Sequence, residues 1–280
     1  MSVGNDSMSS PVSPRPAPYG GHVHANGIRQ HYLHHPGPGR SVIIVPGIVS
    51  PAILWTHIAE HLSDSWDIWI LDVRGRGLSE QGETLDYGLD ACAEDLAAFI
   101  AATRLNVPIV IGHSMGARIA ARLAARSSVV GKVIMLDPPA SAPGRRPYPI
   151  ASSRTLAMVK AARLGEGEAY LRQPGIARWP EPLLRQRAEW LATCDPRAID
   201  AAYHDFHSQD IYDDVSRITC PVTLVVAGAS GVINAEEVEQ FLRSQPRLRI
   251  IEAPGAAHQI QAENADLCLR ILRRALQEGV

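Results

Sequence analysis

A serine between two glycines, in the stretch Gly112-His113-Ser114-Met115-Gly116, is the first group in this sequence that could do chemistry. The pattern G-x-S-x-G typically lifts a serine hydroxyl on a tight turn between a strand and a helix, where the hydroxyl can act as a nucleophile. An apolar run precedes the motif and a helical pattern follows it from Ala117. The glycines suit such a turn because side chains would clash there. Ser114 is therefore predicted to be a nucleophile.

A serine nucleophile needs a histidine to accept its proton. His258 follows the last apolar run of the chain, in the stretch Ala253-Pro-Gly-Ala-Ala-His258. Its position after Ser114 agrees with the chain order serine, acid, histidine. His113, inside the turn, is expected to pack or to form a hydrogen bond. The five histidines of the N-terminal region are expected at the surface: His22, His24, His31, His34 and His35. His258 is therefore the predicted base.

The acid that should orient His258 is harder to find. The loop 228–234, after the fifth apolar run, contains no Asp or Glu, and Glu236 and Glu237 are expected to open the next helix. Asp137 ends the apolar run that follows the Ser114 helix, and at that edge of a parallel sheet it can reach the histidine. Asp137 is therefore the predicted acid. Asp72, in the stretch D-V-R-G-R-G-L-S, is an alternative that we expect to be a structural hydrogen-bond hub instead.

Two backbone N–H groups are candidates to stabilise an oxyanion on the substrate. Pro46-Gly47-Ile48 ends an apolar run, and a turn at this point can aim the Ile48 N–H at the reacting carbonyl. The Met115 N–H lies next to the nucleophile. Such donors are commonly worth about 3 kcal/mol each. Ile48 and Met115 are therefore the predicted oxyanion hole.

Alternating elements must position these groups. Apolar runs predict strands at 41–45, 66–72, 108–112, 132–137, 221–227 and 248–252, and helical patterns lie at 53–62, 89–102, 117–126, 235–244 and 264–277. Such alternation predicts an α/β fold with a mostly parallel sheet covered by helices on both faces. A hairpin over 22–34, turning at Asn26-Gly27, would add antiparallel edge strands.

The chain divides into three predicted parts. Residues 1–20 are rich in Ser, Pro and Gly and are expected to be a disordered leader. Residues 21–139 and 218–280 carry the strand pattern and are expected to form the core. Residues 140–217 lack a strand pattern but contain helical patterns at 155–163 and 181–193, so they are predicted to be a helical cap over the carboxyl edge of the sheet.

Composition excludes several function classes. The chain has 280 residues, 46% of them apolar, and a formal net charge of −2, which does not favour nucleic acid or an anionic membrane as a partner. Its four cysteines form no C-x-x-C pair, so neither a zinc site nor a disulfide framework is expected. Neither a signal peptide nor a membrane-spanning run is evident, and a cytoplasmic location is expected. The sequence does not indicate an oligomeric state.

Over roughly residues 22–278, these motifs together resemble the α/β-hydrolase superfamily. Further stretches resemble the N-formylmaleamate deformylase family of nicotinate breakdown; they lie at 24–33, 45–55, 71–79, 85–93, 137–149 and 187–194. The resemblance implies hydrolysis of N-formylmaleamate to maleamate and formate, without a metal or other cofactor. In that family the acid is the Asp of the D-P-P segment, which corresponds to Asp137. The resemblance is weaker over 150–180.

The implied substrate is a small acidic molecule, so its carboxylate should meet a cation or several donors. Arg145 and Arg146, where the cap begins, are the nearest candidates, and Arg178, His204 and His207 are further ones. Two alternatives stay open. One is an esterase or C–C bond hydrolase of the same fold, acting on another small acidic substrate. The other is a binding protein that has this fold but no catalytic activity.

Overall fold

An eight-stranded sheet forms the centre of the computed structural model, which describes residues 16–176, 179–229 and 231–278. The strands are β1 (Tyr19–Ala25), β2 (Ile28–His35), β3 (Ser41–Val45), β4 (Asp67–Leu71), β5 (Ile109–His113), β6 (Lys132–Leu136), β7 (Val222–Ala227) and β8 (Arg249–Ala253). They lie in the order β1-β2-β4-β3-β5-β6-β7-β8. The pairs β1–β2 and β2–β4 are antiparallel, and β4, β3, β5, β6, β7 and β8 are mutually parallel.

Helices cover both faces of this sheet. The core helices are α1 (Thr56–Leu62), α2 (Leu89–Ala102), α3 (Met115–Arg126), α9 (Ala235–Ser244), α10 (Ile260–Glu263) and α11 (Ala265–Gln277). Every residue of β5 and β6 is buried, as expected for strands packed on both sides. Ile43 and Val110 join the apolar cluster that includes α2 and α3, whereas their neighbours Ile44 and Ile109 join the cluster that includes α1 and α11.

The segment between β6 and β7 contributes the remaining helices, namely α4 (Ser152–Arg163), α5 (Gly167–Leu171), α6 (Glu181–Trp190), α7 (Pro196–Ser208) and α8 (Ile211–Arg217). Short 3-10 turns lie at Ala52–Trp55 and Leu191–Thr193. The described residues of 140–217 contain no strand. We refer to residues 140–217 as the cap segment.

The predicted mostly parallel α/β sheet with its N-terminal hairpin is confirmed. One predicted boundary is wrong: Tyr19 and Gly20, assigned to the leader, pair with His34 and Leu33 in the sheet. Of the rest of the predicted leader, residues 1–15 lie outside the described residues, and residues 16–18 precede the first strand. In the described part of the chain, no helix is long and apolar enough to cross a membrane.

Candidate active site

The turn between β5 and α3 holds Ser114 in a conformation that non-glycine residues rarely adopt, with φ 53° and ψ −118°. Close backbone packing maintains it. A Cβ atom on Gly116 would lie 1.9 Å from the carbonyl oxygen of Val45, and one on Gly112 would lie 2.3 Å from the carbonyl oxygen of Gly116. Only glycine fits at both positions, so α3 can begin directly beside β3. Such strain persists where the surrounding structure fixes it, and it is common at functional sites.

Ser114, His258 and Asp137 lie in one chain of hydrogen bonds. The Ser114 hydroxyl is 3.1 Å from Nε2 of His258, and Nδ1 of His258 is 2.6 Å from Oδ2 of Asp137. The same Oδ2 accepts the backbone N–H of Val232 at 2.9 Å. All three side chains are buried. With Nδ1–H donating to the carboxylate, Nε2 is left free to accept the serine proton, and this is the geometry that activates a serine nucleophile.

His113 connects the serine turn to the histidine loop. Its Nε2–H donates to the carbonyl oxygen of His258 at 2.9 Å, and the two rings are 5.0 Å apart. Burial, together with the nearby His258, lowers the pKa of His113 to about 3. His113 is therefore neutral at ordinary pH and holds the backbone of His258 without placing a second positive charge beside it.

Backbone donors flank the serine on two sides. Met115 is the first residue of α3, so its N–H has no acceptor within the helix. Ile48 lines the same cavity as Ser114. A Cβ atom on the adjacent Gly47 would lie only 3.4 Å from Cβ of Ser114, which shows how closely this loop approaches the nucleophile. The structure thus brings both predicted oxyanion residues to the serine.

A cavity of about 430 Å³ opens above Ser114, between the carboxyl edge of the sheet and the cap segment. The core contributes the loop from Gly47 to Ser50, Ser114 and the residues from Ala257 to Gln259. The cap segment contributes mostly aromatic and apolar walls, including Tyr148, Ile150, Met158, Tyr170, Ile176, Trp179 and Tyr203. The cavity therefore suits a small molecule with an apolar body whose reacting group lies at Ser114.

Arg187, on α6, is the buried cation of this cavity, with 8% of its surface exposed. Its guanidinium lies 4.4 Å from the ring centre of Trp179 and 3.5 Å from the sulfur of Met158. No described carboxylate forms an ion pair with it, and Glu263 interacts with it electrostatically at longer range. Burial lowers the pKa of Arg187 to about 10, so the group remains charged at neutral pH. Nε1–H of Trp179 is also buried without a partner among the described residues. These two donors can meet a substrate anion.

Two further charged residues line the cavity. Arg154, on α4, is exposed and donates to the carbonyl oxygen of Gly175. Glu263 is half-buried, and its burial raises the pKa of its carboxyl group. Among the described residues, the charged lining thus consists of two arginines and one glutamate, which favours a negatively charged ligand over a neutral one.

Arg145 and Arg146, the first cations predicted to bind the substrate carboxylate, do not line the cavity. Arg145 pairs with Asp210 at 3.2 Å, and Arg146 pairs with Glu237 at 2.7 Å. These carboxylates hold both guanidinium groups away from the cavity lining, which corrects the prediction.

The remaining predicted cations are placed as follows. His204 is exposed on α7. His207 lies behind the cavity wall, where it bonds to the backbone of Tyr148 and Tyr203 rather than facing the cavity. Arg178 lies outside the described residues. The cavity arginines, Arg154 and Arg187, were missed because neither carries a local motif; Arg187 does fall within the stretch 187–194 that suggested the closer family.

The alternative carboxylates are occupied elsewhere. Asp72 accepts the N–H groups of Ala52 and Leu78 at 2.6 and 3.0 Å and contacts Nδ1 of His31 at 2.7 Å. Glu237 forms a capping box with Asn234 at the start of α9. Neither is bonded to His258, so Asp137 is the carboxylate that the geometry offers to the histidine.

The fold and this site are typical of an α/β hydrolase, and a comparison with known protein families gives the same class. Residues 42–270 match the model of the α/β hydrolase family, and the chain belongs to that family. It is a hydrolase, and the prediction of an α/β-hydrolase fold is confirmed.

Three individual proteins show which hydrolases of this family the chain resembles. The chain is 43% identical over 248 residues to the N-formylmaleamate deformylase of Pseudomonas putida KT2440, covering 88% of this chain and 92% of that protein. A solved structure of the N-formylmaleamic acid deformylase Nfo from Pseudomonas putida S16 superposes with a TM-score of 0.85 at 40% identity, covering 91% of this chain and 100% of that one. A 2-(acetamidomethylene)succinate hydrolase of Mesorhizobium japonicum is 26% identical over 256 residues, or 84% of this chain and 87% of that protein.

Proposed function

We propose that this enzyme hydrolyses the formyl C–N bond of N-formylmaleamate, giving maleamate and formate. The observation that carries the proposal is the buried guanidinium of Arg187, which shares a cavity with Ser114 and forms no ion pair with a described carboxylate. Glu263, in the same cavity, interacts with it only at longer range, so an anionic substrate would compensate a buried charge that is otherwise costly. The 43% identical relative, whose name specifies N-formylmaleamate, identifies which anion to test first.

The first half of the proposed reaction forms a formyl-enzyme. Nε2 of His258 takes the hydroxyl proton of Ser114, and the serine oxygen attacks the formyl carbon. The N–H groups of Ile48 and Met115 stabilise the oxyanion that develops. The C–N bond then breaks, and maleamate leaves with the proton that His258 returns to its nitrogen. Asp137 holds the imidazole orientation and stabilises the imidazolium.

The second half releases formate. Water replaces maleamate beside His258, which takes a proton from it as the water oxygen attacks the formyl ester. The same two N–H groups stabilise the second oxyanion. Collapse of this intermediate breaks the ester bond, and His258 returns the proton to the Ser114 oxygen. Both halves use one set of groups, so no further catalytic side chain is required.

Substrate orientation follows from the charges in the cavity. The carboxylate of N-formylmaleamate would bind Arg187 and Nε1–H of Trp179, both on the cap side of the cavity. The formyl end would then lie at Ser114, on the core side. The second relative supports this reading, because its name also specifies an N-acyl compound that carries carboxylates.

A formate-release assay on N-formylmaleamate tests the proposal directly. Native enzyme should release formate and maleamate in equal amounts, and Ser114→Ala should abolish the release while retaining the fold. The methyl ester of N-formylmaleamate and 4-nitrophenyl acetate are the matched neutral substrates. If native enzyme cleaves 4-nitrophenyl acetate but releases no formate from N-formylmaleamate, the substrate assignment is wrong and a general esterase is indicated.

A further inference from the structure

Arg76 is one of the most deeply buried charged side chains of the molecule, with 1% of its surface exposed. It forms no ion pair with a carboxylate in the described part of the chain. Its guanidinium instead donates to three backbone carbonyl oxygens and approaches one sulfur; the partners are Ile48 O at 3.1 Å, Arg74 O at 2.7 Å, Ala198 O at 2.8 Å and Met115 Sδ at 3.4 Å. Burying a guanidinium on neutral partners alone is costly, so we expect Arg76 to have a specific role.

Two of these partners are the residues whose N–H groups flank Ser114. The bond to the Ile48 carbonyl fixes the peptide on one side of Ile48 and thereby restricts the direction of its N–H. The contact with the Met115 side chain holds the first residue of α3 from the opposite side.

The other contact of Arg76 reaches the cap segment, since Ala198 lies in α7. Two backbone contacts reinforce this junction: the N–H of Asp195 donates to Gly75 O at 2.8 Å, and the N–H of Gly77 donates to Oγ1 of Thr193 at 3.1 Å. Helix α7 also carries Tyr203, which lines the cavity. A single side chain therefore joins the cap helix that shapes the cavity to both proposed oxyanion donors.

We propose that Arg76 is a positioning residue that sets the Ile48 and Met115 N–H groups for oxyanion stabilisation once the cap segment is docked on the core. The inference rests on the serine mechanism of the proposed function but not on the identity of the substrate. Arg76 acts through the backbone of Ile48 and the side chain of Met115, without touching the substrate itself. Its loss should therefore weaken transition-state binding and leave ground-state binding almost unchanged.

The test compares Arg76→Met and Arg76→Lys with native enzyme on two substrates, N-formylmaleamate and 4-nitrophenyl acetate. Arg76→Met should lower kcat by about 10- to 100-fold on both, less than the loss of a donor itself, and should change KM less than about twofold. Arg76→Lys keeps a positive donor within reach of Ile48 O and should recover part of the lost kcat. Phenylboronic acid, which mimics the tetrahedral intermediate, should bind more weakly in proportion to kcat, whereas inhibition by maleamate should be unchanged.

Arg122→Met is the matched control. Arg122 is also a buried arginine that joins α3 to the cap segment, through Asp214 and Gln209, but it contacts neither Ile48 nor Met115. Its removal should lower stability while leaving the kcat of folded enzyme unchanged. An unchanged kcat in folded Arg76→Met, or an equal loss in Arg122→Met, overturns the proposal. If Arg76→Met does not fold, the kcat and boronate affinity of Arg76→Lys decide. Because hydrolysis of 4-nitrophenyl acetate uses the same serine and oxyanion donors but needs no carboxylate, the result stands even if N-formylmaleamate is not the substrate.

Discussion

At the scale of single residues, the charge of Arg187 should determine which substrates bind. Arg187→Met keeps an unbranched side chain beside Trp179 but removes the guanidinium that lies over its ring. A charge-assisted hydrogen bond contributes about 1.5–3 kcal/mol, so KM for N-formylmaleamate should rise roughly 10- to 100-fold. The kcat/KM for 4-nitrophenyl acetate should change little, because that substrate has no carboxylate.

Arg185→Met provides the control for this experiment. Arg185 lies on the same helix but is exposed and pairs with Glu181 on the surface. Steady-state kinetics on both substrates should therefore be native-like. An equal rise of KM for the charged and the neutral substrate in Arg187→Met would mean that Arg187 shapes the cavity rather than binding a carboxylate.

The position of the acid can also be tested with single substitutions. Asp137→Asn keeps the size of the side chain but replaces a carboxylate oxygen that orients His258. The kcat should fall by about 10³- to 10⁴-fold, as expected when the histidine loses its correct tautomer. Glu237→Gln, at the start of the helix that follows the acid-free loop after β7, should leave kcat within a factor of two. Comparable losses in both variants would argue against Asp137 as the sole acid.

At the scale of elements, α3 packs so closely on β3 that no side chain should fit at Gly116. A methyl group would lie 1.9 Å from the carbonyl oxygen of Val45, so either the strand or the helix must move. Gly116→Ala should lower the free energy of unfolding by about 3 kcal/mol or more, at the upper end of overpacking costs. Urea unfolding followed by circular dichroism measures this change.

Gly82→Ala is the comparison for Gly116→Ala. The nearest atom to its new methyl group would be Cγ of Leu85 at 3.8 Å, an ordinary contact. Its stability should therefore stay within about 1 kcal/mol of native, the general scale of glycine-to-alanine effects. A small loss in both variants would show that the start of α3 can shift without cost.

The strands and helices could be predicted where their burial produces an apolar pattern in the local sequence. The β-branched runs of β3, β5 and β6 are buried on both faces, so each strand appears in the sequence as an apolar stretch. Helix α7 was not predicted, although its Asp195-Pro196 start is a common helix N-terminus and the Asp195 side chain does accept the Arg197 N–H. Its buried residues Ala198, Ile199, Ala202, Tyr203 and Phe206 also follow helical spacing, so this helix could have been predicted from the sequence.

The site was predictable only for residues that belong to motifs. Ser114, His258 and Asp137 end strands, and strand ends meet at one edge of a parallel sheet. Arg187 and Arg76 have no such signature, since their roles depend on which distant chain segments surround them. His31 shows the same limit: it was expected at the surface, yet it is buried against Asp72 from a loop remote in sequence.

At the scale of the whole molecule, buried neutral histidines should make the fold sensitive to acid. Burial lowers the pKa of His35, His57 and His113, in the last case to about 3, from 6.5 in an exposed chain. Below pH 6.5 the unfolded chain therefore binds protons that the native fold does not. Stability is retained above pH 6.5 and is lost as the pH falls towards 3, by up to about 1.4 kcal/mol per pH unit for a single histidine.

His113→Gln isolates the contribution of one histidine. Gln keeps a side-chain N–H that can donate towards His258 O but does not titrate, so the free energy of unfolding should fall less steeply between pH 6.5 and pH 4 than in native enzyme. Equilibrium urea unfolding at several pH values gives both slopes. An unchanged slope in His113→Gln would mean that His113 takes up its proton in the native state as readily as in the unfolded chain.

The position of Asp137 directly after β6 determines where substitutions can accumulate without disturbing the acid. Asp137 and the cavity wall at Tyr148 lie on one continuous stretch of chain, so a segment exchanged between relatives from residue 137 onward carries the acid and part of the specificity together. The loop after β7 contacts the acid through a backbone N–H, that of Val232. This contact does not depend on the Val232 side chain, whereas a Cβ on Gly231 would lie 2.9 Å from the Asp137 carboxylate and would disturb the acid.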